Sequence, residues 1–284
     1  MSRITMKDVA VMSVQYVQYT FDYYLDSIQK CGIHNVDLWG GAPHYCRLDY
    51  VSSGEASQKI RQMRRKMEDR GMQVVIYTPE TLGYPMSYSS PDLALRSRTI
   101  DYIKYAMEDA LAFGTNRVFL NTGCHSRDLD PKDGMARVID SYRTLCDTAE
   151  RMGIRLVLEQ LQPYESNLCT TLPEIAHILK QVDSPNLTVC VDLVAMEVAG
   201  EDLETYCKTF GDRIEWVHYS DSHHEILGEG TYGREKLEGY IRTLEKYNYK
   251  GCIDLEINDS IYWENPHSSI AKSTDYLRTF LPEK

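Results

Sequence analysis

Short apolar runs alternate with longer amphipathic segments along the whole chain. Eight of the short runs have the length and composition of buried β-strands, and they cover residues 8–14, 35–39, 73–78, 117–121, 154–159, 187–192, 214–219 and 252–257. Apolar residues at i, i+3 and i+4 spacing predict a helix after each strand, near residues 20–31, 55–70, 92–113, 132–152, 172–182, 201–210, 235–247 and 266–280. Strands that alternate with helices are typical of a parallel sheet, and eight such units can close it into a barrel.

The boundaries between these segments indicate one domain. Several helical runs are followed by a residue that favours the left-handed conformation of a helix C-cap, namely Gly32, Gly71, Gly114, Gly153 and Gly211. No Gly/Pro/Ser-rich linker divides the 284 residues, and an α/β barrel typically needs about 250. We therefore predict a single (β/α)8 TIM-barrel domain of the α/β class over residues 1–284. The alternative, a doubly wound open sheet, lacks its GxGxxG fingerprint after the first strand.

Four consecutive predicted strands end in an ionisable side chain: Glu159, Asp192, His218 and Glu256. The active site of such a barrel lies at the C-terminal ends of its strands, so these side chains are expected to converge. Taken singly, a strand-end acid often caps the following helix, and a histidine often packs in the core. Three carboxylates in one volume would repel each other unless a cation neutralised them. We therefore predict a metal site, in which three carboxylates and one imidazole suit Mn²⁺, Mg²⁺ or Co²⁺ better than a structural zinc ion.

This series of residues, with gaps of 33, 26 and 38 positions, resembles the metal-ligand series of the xylose-isomerase-like superfamily of sugar isomerases and epimerases. The likeness is greatest to its ketose 3-epimerases, including the fructoselysine type, whose segments resemble WGGAPH (39–44), YTPETLGYP (77–85) and PYESN (163–167). The resemblance implies one divalent metal ion, with Mn²⁺ favoured and Co²⁺ or Mg²⁺ as alternatives. It also implies that Glu159 and Glu256 move the proton, that Glu165 contacts the substrate, and that the chain forms a homo-oligomer.

Three positions depart from the pattern of these epimerases. The fructose and psicose types have a histidine where this chain has Ala195 and an arginine where it has His224. The fructoselysine type has an arginine where this chain has Ala42. Simple free ketoses are therefore less favoured as substrates than a ketose derivative such as a fructosamine.

The chemistry of epimerisation explains the residue types. A hydrogen on the carbon next to a ketone is only weakly acidic, so its removal near pH 7 needs a base in contact and a cation on the carbonyl oxygen. Inversion further requires proton donors and acceptors on opposite faces of the planar intermediate. We expect Glu159 and Glu256 to face each other across it, and we predict 3-epimerisation through a metal-stabilised enediolate.

Other side chains near the strand ends are weaker candidates. Trp39, His125 and His44 are predicted substrate contacts, with packing of the barrel top and capping of a loop as the alternatives. His223 and His224 lie in a polar loop, where we interpret them as solvent-exposed rather than as a metal-binding pair.

Composition excludes several classes of partner. Lys plus Arg is 31 against 42 for Asp plus Glu, a net charge of -11, which disfavours nucleic acids and acidic membrane surfaces. No window approaches the roughly 20 apolar residues of a membrane span. The eight cysteines show no CxxC spacing, which fits a reducing compartment. We expect a cytoplasmic protein with a small-molecule sugar substrate and neither a nucleic-acid nor a membrane partner.

Two other activities remain open at this point. The first is the lyase reaction of a C-glycoside deglycosidase catalytic subunit, which resembles the same superfamily and would pair with a small β-rich subunit. The second is an endonuclease IV-like nuclease, which shares the barrel. A three-zinc nuclease site needs further strand-end ligands that this chain does not offer, and its acidic charge argues against DNA.

Overall fold

A computed structural model describes residues 3–83 and 85–284. Within them, parallel strands are hydrogen-bonded in chain order and close into a barrel where β8 pairs with β1. The strands are β1 (Val9–Met12), β2 (Asn35–Gly40), β3 (Gln73–Pro79), β4 (Arg117–Leu120), β5 (Arg155–Glu159), β6 (Leu187–Asp192), β7 (Ile214–His218) and β8 (Cys252–Leu255). The predicted (β/α)8 barrel is confirmed. Tyr84, part of the YTPETLGYP segment, and residues 1–2, the start of the predicted domain, lie outside the described residues.

Helices surround the barrel as predicted, with one addition. They are α1 (Phe21–Lys30), α2 (Ser53–Glu68), α3 (Leu93–Phe113), α4 (Pro131–Met152), α5 (Leu172–Val182), α6 (Leu193–Val198), α7 (Leu203–Phe210), α8 (Gly233–Lys246) and α9 (Pro266–Arg278). The short α6 was not predicted. Its residues 193–196 are all buried, so it has no amphipathic period by which it can be recognised. No helix in this part of the chain combines the length and the apolar character that crossing a bilayer requires.

The helix ends that the sequence marks with glycine include two left-handed C-caps. Gly114 ends α3 with a φ of 98°, and Gly153 ends α4 with a φ of 69°. A side chain disfavours this conformation, so glycine is the residue expected there.

The strands separate two hydrophobic cores. The larger lies between the barrel and the helices. The smaller fills the barrel interior with Ala10, Ile76, Phe119, Val157, Cys190 and Trp216. Because side chains alternate across a strand, the residue two positions after an interior one points inward again, one layer nearer the C-terminal end. Glu159, Asp192 and His218 follow Val157, Cys190 and Trp216 in this way, which places them above the interior core.

Gly134, in the first turns of α4, has no room for a side chain. A Cβ atom there would lie 2.6 Å from Cγ and 2.9 Å from Cβ of His125, a buried residue whose ring is packed against this helix. Alanine has the higher helix propensity, but overpacking costs more than propensity contributes. We expect Gly134→Ala to lower the free energy of unfolding by about 1 kcal/mol in chemical denaturation.

Gly239→Ala in α8 is the matched control for this prediction. A Cβ atom at Gly239 meets only the flexible end of Arg242, at 3.6 Å. This substitution should raise the free energy of unfolding by up to about 1 kcal/mol through helix propensity alone. Equal effects of the two substitutions would contradict the tight contact at Gly134.

Candidate metal centre

Four side chains from consecutive strands meet at the C-terminal end of the barrel. His218 ends β7, and its Nδ1 lies 2.6 Å from Oε1 of Glu159 and 2.9 Å from Oε2 of Glu256. Glu159 ends β5, while Glu256 follows directly after β8. Asp192 ends β6 and pairs in register with His218. The structure therefore brings together all four side chains that the sequence predicts as metal ligands.

A fifth side chain, His224, joins this group from the loop after β7. Its Nε2 lies 3.3 Å from Oδ2 of Asp192 and 3.4 Å from Oε2 of Glu256, within ion-pair distance but without hydrogen-bond geometry. Only 14% of the side chain is exposed. The interpretation of His224 as a solvent-exposed histidine is therefore wrong, whereas that of the adjacent His223, which is exposed, is right.

The loop that carries His224 has an unusual backbone. His223 and His224 have φ values of 57° and 58°, in the left-handed region that is unfavourable for residues other than glycine. Buried Asp221 holds the loop, because its carboxylate accepts hydrogen bonds of 2.9 to 3.0 Å from three backbone N–H groups of the same segment. These bonds maintain a conformation that directs the imidazole of His224 into the site. In the sequence, the only available signal was its position six residues after a strand-end histidine.

The two glutamates that contact His218 differ in their pKa. Burial raises the pKa of Glu159 to about 8, although His218 opposes this shift. Burial would also raise the pKa of Glu256, but the imidazoles of His218 and His224 lower it below its usual range. Before a metal binds, Glu159 therefore keeps its proton near neutral pH while Glu256 is ionised. Carboxyl groups whose pKa values are displaced in this way are suited to opposite acid and base roles.

Both imidazoles of the site retain their protons strongly without a metal. Burial alone would lower the pKa of His224, but Asp192 and Glu256 raise it well above its usual value. The pKa of His218 is likewise raised against the effect of burial, by Cys190 and by the two glutamates. Since burial raises the pKa of the Cys190 thiol to about 12 and that of Glu159 to about 8, Glu256 is the main anion that His218 contacts at neutral pH. The protein alone balances its buried carboxylates with imidazolium ions, a role that a divalent cation would take over.

Asp192 combines a capping role with its place in the site. It is the N-cap of α6, and its Oδ1 and Oδ2 accept hydrogen bonds from the backbone N–H groups of Val194 and Ala195 at 2.9 and 3.3 Å. The same Oδ2 faces His224. The two backbone donors therefore fix the direction in which the carboxylate points.

A cavity of about 320 Å³ opens over these groups. Glu159, Asp192, Glu256 and His224 line its floor, and Glu165, the predicted substrate contact, lines it as well. The remaining lining residues come from the loops after β5, β7 and β8: Leu161, Tyr164, His223, Asn258, Asp259, Ser260 and Trp263. Over residues 3–83 and 85–284, no lysine or arginine lines this cavity. The cavity is therefore lined by acidic and, in part, by aromatic side chains.

Glu165 is held in place at the edge of this cavity. Its Oε2 accepts a hydrogen bond of 2.9 Å from the backbone N–H of Gln162. Burial raises its pKa, as do the charges of Glu256 and Asp192, while that hydrogen bond opposes the shift. Tyr164 beside it is 75% exposed, so its ring is available to a ligand that extends out of the cavity.

Trp39 and His125, two of the other predicted substrate contacts, do not line this cavity. Trp39 is half-buried near the end of β2, and its Nε1 donates to Oε2 of Glu80 at 2.9 Å. His125 is 2% exposed, with its ring against Gly134 of α4. Packing against neighbouring elements explains where both side chains lie.

His44 also lies away from the cavity. It is 2% exposed, and its ring packs against those of Phe21 and Tyr24 in α1. Its Nε2 lies 3.2 Å from the carbonyl oxygen of Tyr19. Burial lowers its pKa to about 4, so it is neutral at physiological pH. These contacts favour the alternative of a loop-capping residue.

Two further carboxylates lie deeper in the barrel, and the sequence analysis missed them. Asp37 of β2 and Asp254 of β8 are both fully buried. Oδ2 of Asp254 is 3.8 Å from Nε2 of His218, on the side of the ring away from the two glutamates. Burial raises the pKa of Asp37 to about 6 and that of Asp254 well above its usual value. The available signal was the alternation of Asp254 with Glu256 along one strand.

The donor types of the site suit a divalent cation. One donor atom each from Asp192, His224 and Glu256 lies within 4.8 Å of the others, and the same holds for Glu159, Cys190 and His218 and for Asp37, His218 and Asp254. Carboxylate oxygens with imidazole nitrogens are ligands that Mn²⁺, Co²⁺ and Mg²⁺ accept, whereas a structural zinc site more often recruits thiolates. Burial raises the pKa of the Cys190 thiol to about 12, whereas the carboxylates and imidazoles supply the oxygen and nitrogen donors of the predicted site.

A larger cavity of about 410 Å³ lies at the opposite, N-terminal end of the strands. Glu215 of this cavity is held in ion pairs, with Arg117 at 2.9 Å and with Arg155 at 3.2 Å. Charged groups at this end of a barrel usually serve stability. We therefore place the chemistry in the smaller cavity.

Comparisons with known proteins agree with this architecture. The family described as xylose isomerase-like TIM barrel matches residues 25–280 of the chain. The fructoselysine 3-epimerase of Escherichia coli O157:H7 is 30% identical over 260 residues, which cover 89% of this chain and 91% of that protein. The D-psicose 3-epimerase of Ruminiclostridium cellulolyticum is 20% identical over 241 residues, which cover 83% of this chain and 78% of that protein.

Solved structures show the same barrel. The apo form of 3-keto-D-glucoside 4-epimerase from E. coli superimposes with a TM-score of 0.79 over 96% of this chain and 99% of that one, at 18% sequence identity. At this identity the similarity shows the fold alone.

Proposed function

The chain belongs to the xylose isomerase-like TIM-barrel family, and from this premise we propose that it is a divalent-metal-dependent 3-epimerase of a ketose or of a ketose derivative of the fructosamine type. Its epimerase relatives support a sugar epimerase or isomerase in general. The metal and the position of inversion are the specific parts of the proposal.

The convergence of Glu159 and Glu256 on one nitrogen of His218 is the observation that supports the proposal best. In the metal-free protein one of these carboxyl groups is protonated and the other is ionised, so the pair already holds one proton donor and one proton acceptor. Glu256, the ionised member, removes the proton from C3, and the electron pair of that bond moves towards the ketone oxygen. Glu159, the protonated member, returns a proton to the opposite face of C3. In the reverse direction the two exchange roles.

The predicted metal would be held by Asp192, His218 and the two glutamates. When bound, it would polarise the ketone and so make the neighbouring C–H more acidic. Asp192 is oriented for this task by its two backbone donors, and the fully buried His218 by the two glutamates at its Nδ1. Metal ligation by only one oxygen of each glutamate leaves the second oxygen available for the proton.

The lining of the cavity favours a neutral or cationic substrate. It contains no lysine or arginine among the described residues, which disfavours sugar phosphates and sugar acids. Glu165 and Asp259 add negative charge beyond the ligand set, and the secondary amine of a fructosamine is protonated near neutral pH. We propose that these carboxylates lie on the side of the amine substituent, with the exposed ring of Tyr164 beside its chain.

The cellular compartment and the partners of the enzyme are part of the same proposal. All eight cysteines are free, which suits a reducing cytoplasm. A small-molecule sugar is the partner that the cavity accommodates, and no nucleic acid or membrane is required. A homo-oligomer remains an expectation, and a small β-rich partner subunit belongs only to the lyase alternative.

A panel of substrates tests the activity. Protein loaded with Mn²⁺ is incubated with D-fructose, D-psicose, D-tagatose and N-fructosyl-lysine, and products are identified by NMR. We expect the C3 epimer of at least one compound, with N-fructosyl-lysine turned over faster than the free ketoses. Removal of the metal with a chelator should abolish the reaction, and Mn²⁺ or Co²⁺ should restore it.

Each alternative has its own product in this assay. An aldose would indicate an isomerase, and an aglycone freed from a 3-oxo-C-glycoside, with no C3 epimer from any ketose, would indicate a lyase. Elemental analysis that finds three zinc ions per chain would favour the nuclease. Full activity in the presence of chelator would contradict the metal dependence.

A further inference from the structure

The barrel layer beneath the metal centre holds two carboxylates that no step of the proposed reaction uses. Asp254 lies two residues before Glu256 and hence on the same inward face of the chain, and Asp37 lies on β2. Both are 0% exposed. In the part of the chain that the structure describes, neither pairs with a lysine or an arginine, and the one ion-pair contact of Asp254 is His218.

Burial of these two carboxylates disfavours folding. Neighbouring interior positions are occupied by Ala10, Ile76 and Val157, which need no hydrogen bonds. A carboxylate without a cationic partner loses its hydration there and gains little in return, and an apolar residue of similar volume usually packs at least as well. The position of Asp254 is therefore better explained by a function than by packing.

The polar atoms of this layer face each other with their hydrogen-bonding capacity unused. Oδ1 of Asp37 accepts a hydrogen bond of 2.6 Å from Oγ1 of Thr78, but its Oδ2 has no partner. Both oxygens of Asp254 and Nε2 of His218 also lack a hydrogen bond while the two carboxyl groups are ionised, and Asp37 and Asp254 lie close enough to share one when either is protonated. Oδ2 of Asp254 and Nε2 of His218 are 3.8 Å apart, so a closure of about 1 Å makes the hydrogen bond.

The ring of His218 has a defined orientation. Nδ1 faces the glutamates of the cavity at 2.6 and 2.9 Å, while Nε2 faces Asp254 in the interior. The ring stacks on Phe119, with 5.4 Å between centroids and 24° between planes. A metal ligand must offer a lone pair, so Nδ1 binds a metal only in the tautomer that carries its proton on Nε2. That proton needs an acceptor in the interior.

We propose that Asp254 is a positioning residue for the metal ligand His218. By accepting the Nε2–H of His218, Asp254 selects this tautomer and leaves the lone pair of Nδ1 directed at the metal. Asp37, itself held by Thr78, supports the carboxylate of Asp254 from the other side of the layer. The inference rests on the metal centre of the proposed function and not on its substrate.

Asp254→Leu tests the proposal, because it removes the acceptor and fills the space with an apolar group. The Tm of this variant should equal or exceed that of the wild type. Its Kd for Mn²⁺, measured by calorimetry on the full chain, should rise about 10- to 100-fold. Asp254→Asn keeps an amide oxygen that accepts from Nε2–H, so its Kd should stay within about tenfold of wild type.

NMR of ¹⁵N-histidine-labelled protein loaded with Zn²⁺ gives a readout independent of catalysis. The wild type should show His218 with its proton on Nε2, and Asp254→Leu should lose that signal. Thr188→Val is the control, because the buried Thr188 hydroxyl on β6 donates to the carbonyl of Leu156 and not to His218. Its Kd for Mn²⁺ should change less than about twofold, as expected for an independent site.

Three outcomes would overturn the role of Asp254. One is a Kd of Asp254→Leu within about threefold of wild type. Another is a His218 tautomer that is the same in Asp254→Leu as in the wild type. The third is a second metal ion in each wild-type chain that is lost in both Asp254→Leu and Asp254→Asn, because Asp254 would then be a metal ligand. If Asp254→Leu does not fold, Asp254→Ser replaces it, because the shorter hydroxyl cannot reach Nε2. A wild type that binds no divalent metal would contradict the metal centre and the proposed function together.

Discussion

Glu256→Gln and Glu159→Gln should each reduce the rate of epimerisation by several orders of magnitude. Loss of general base or acid catalysis alone is often worth about 10²- to 10⁴-fold, and an amide is also a poorer metal ligand than a carboxylate. Glu159 at the end of β5 and Glu256 just after β8 reach Nδ1 of His218 from different strands, so we expect each to have its own role in the proton transfer. Assays at saturating Mn²⁺, with the metal content of each variant measured, separate the catalytic loss from the loss of metal.

Exchange in heavy water identifies the step that is lost. With the wild type, solvent deuterium should appear at C3 of the product epimer. A variant that retains the acid/base group on one face should still exchange the C3 hydrogen of one epimer without inverting it. NMR and mass spectrometry of the recovered sugars measure the deuterium at C3 and the proportion of each epimer.

Glu215→Gln is the control for these two variants. Glu215 is also a buried barrel glutamate, but it pairs with Arg117 and Arg155 at the N-terminal end of the strands. This substitution should lower stability and leave C3 exchange unchanged. Normal epimerisation by Glu159→Gln or Glu256→Gln would contradict the two-base arrangement, and deuterium at C1 or C2 with an aldose product would indicate an isomerase instead.

Asp192→Asn and His218→Ala should abolish metal binding while the fold persists. Loss of a direct ligand should weaken Mn²⁺ binding by more than the roughly 10- to 100-fold that outer partners contribute. The barrel should survive, because strand-end residues contribute to function more than to packing. In Asp192→Asn the amide oxygen can still accept from the backbone N–H groups that start α6.

Calorimetric titration measures the binding of Mn²⁺ to these variants, and circular dichroism measures whether they remain folded. His177→Ala is the control, because His177 is an exposed histidine on α5, away from the cavity. Its affinity for Mn²⁺ should match that of the wild type. Unfolding of Asp192→Asn and His218→Ala in the presence of excess metal would mean that these residues support the barrel itself.

The sequence alone was sufficient for the barrel and for the order of its strands. Alternation of apolar runs with amphipathic segments is a local property, and eight parallel units have one common way to close. The same rule predicts that residues at the C-terminal strand ends meet, and Glu159, Asp192 and His218 do so without any loop being known. The short α6 was the one α-helix of the described residues that the sequence did not predict, because its first four residues are all buried and give no amphipathic period.

The tertiary structure decided which side chains outside the strand ends reach the site. Loop residues are directed by backbone angles and by hydrogen bonds that no sequence period encodes, so the left-handed turn held by Asp221 brings His224 inward against expectation. His44 and His125 turn away for the same reason, into contacts with α1 and α4. Asp254 meets His218 through the pairing of the neighbouring strands β7 and β8. Asp37 on β2 joins them only because β8 pairs with β1, a contact between residues more than 200 positions apart. Such contacts exist only once the barrel has closed.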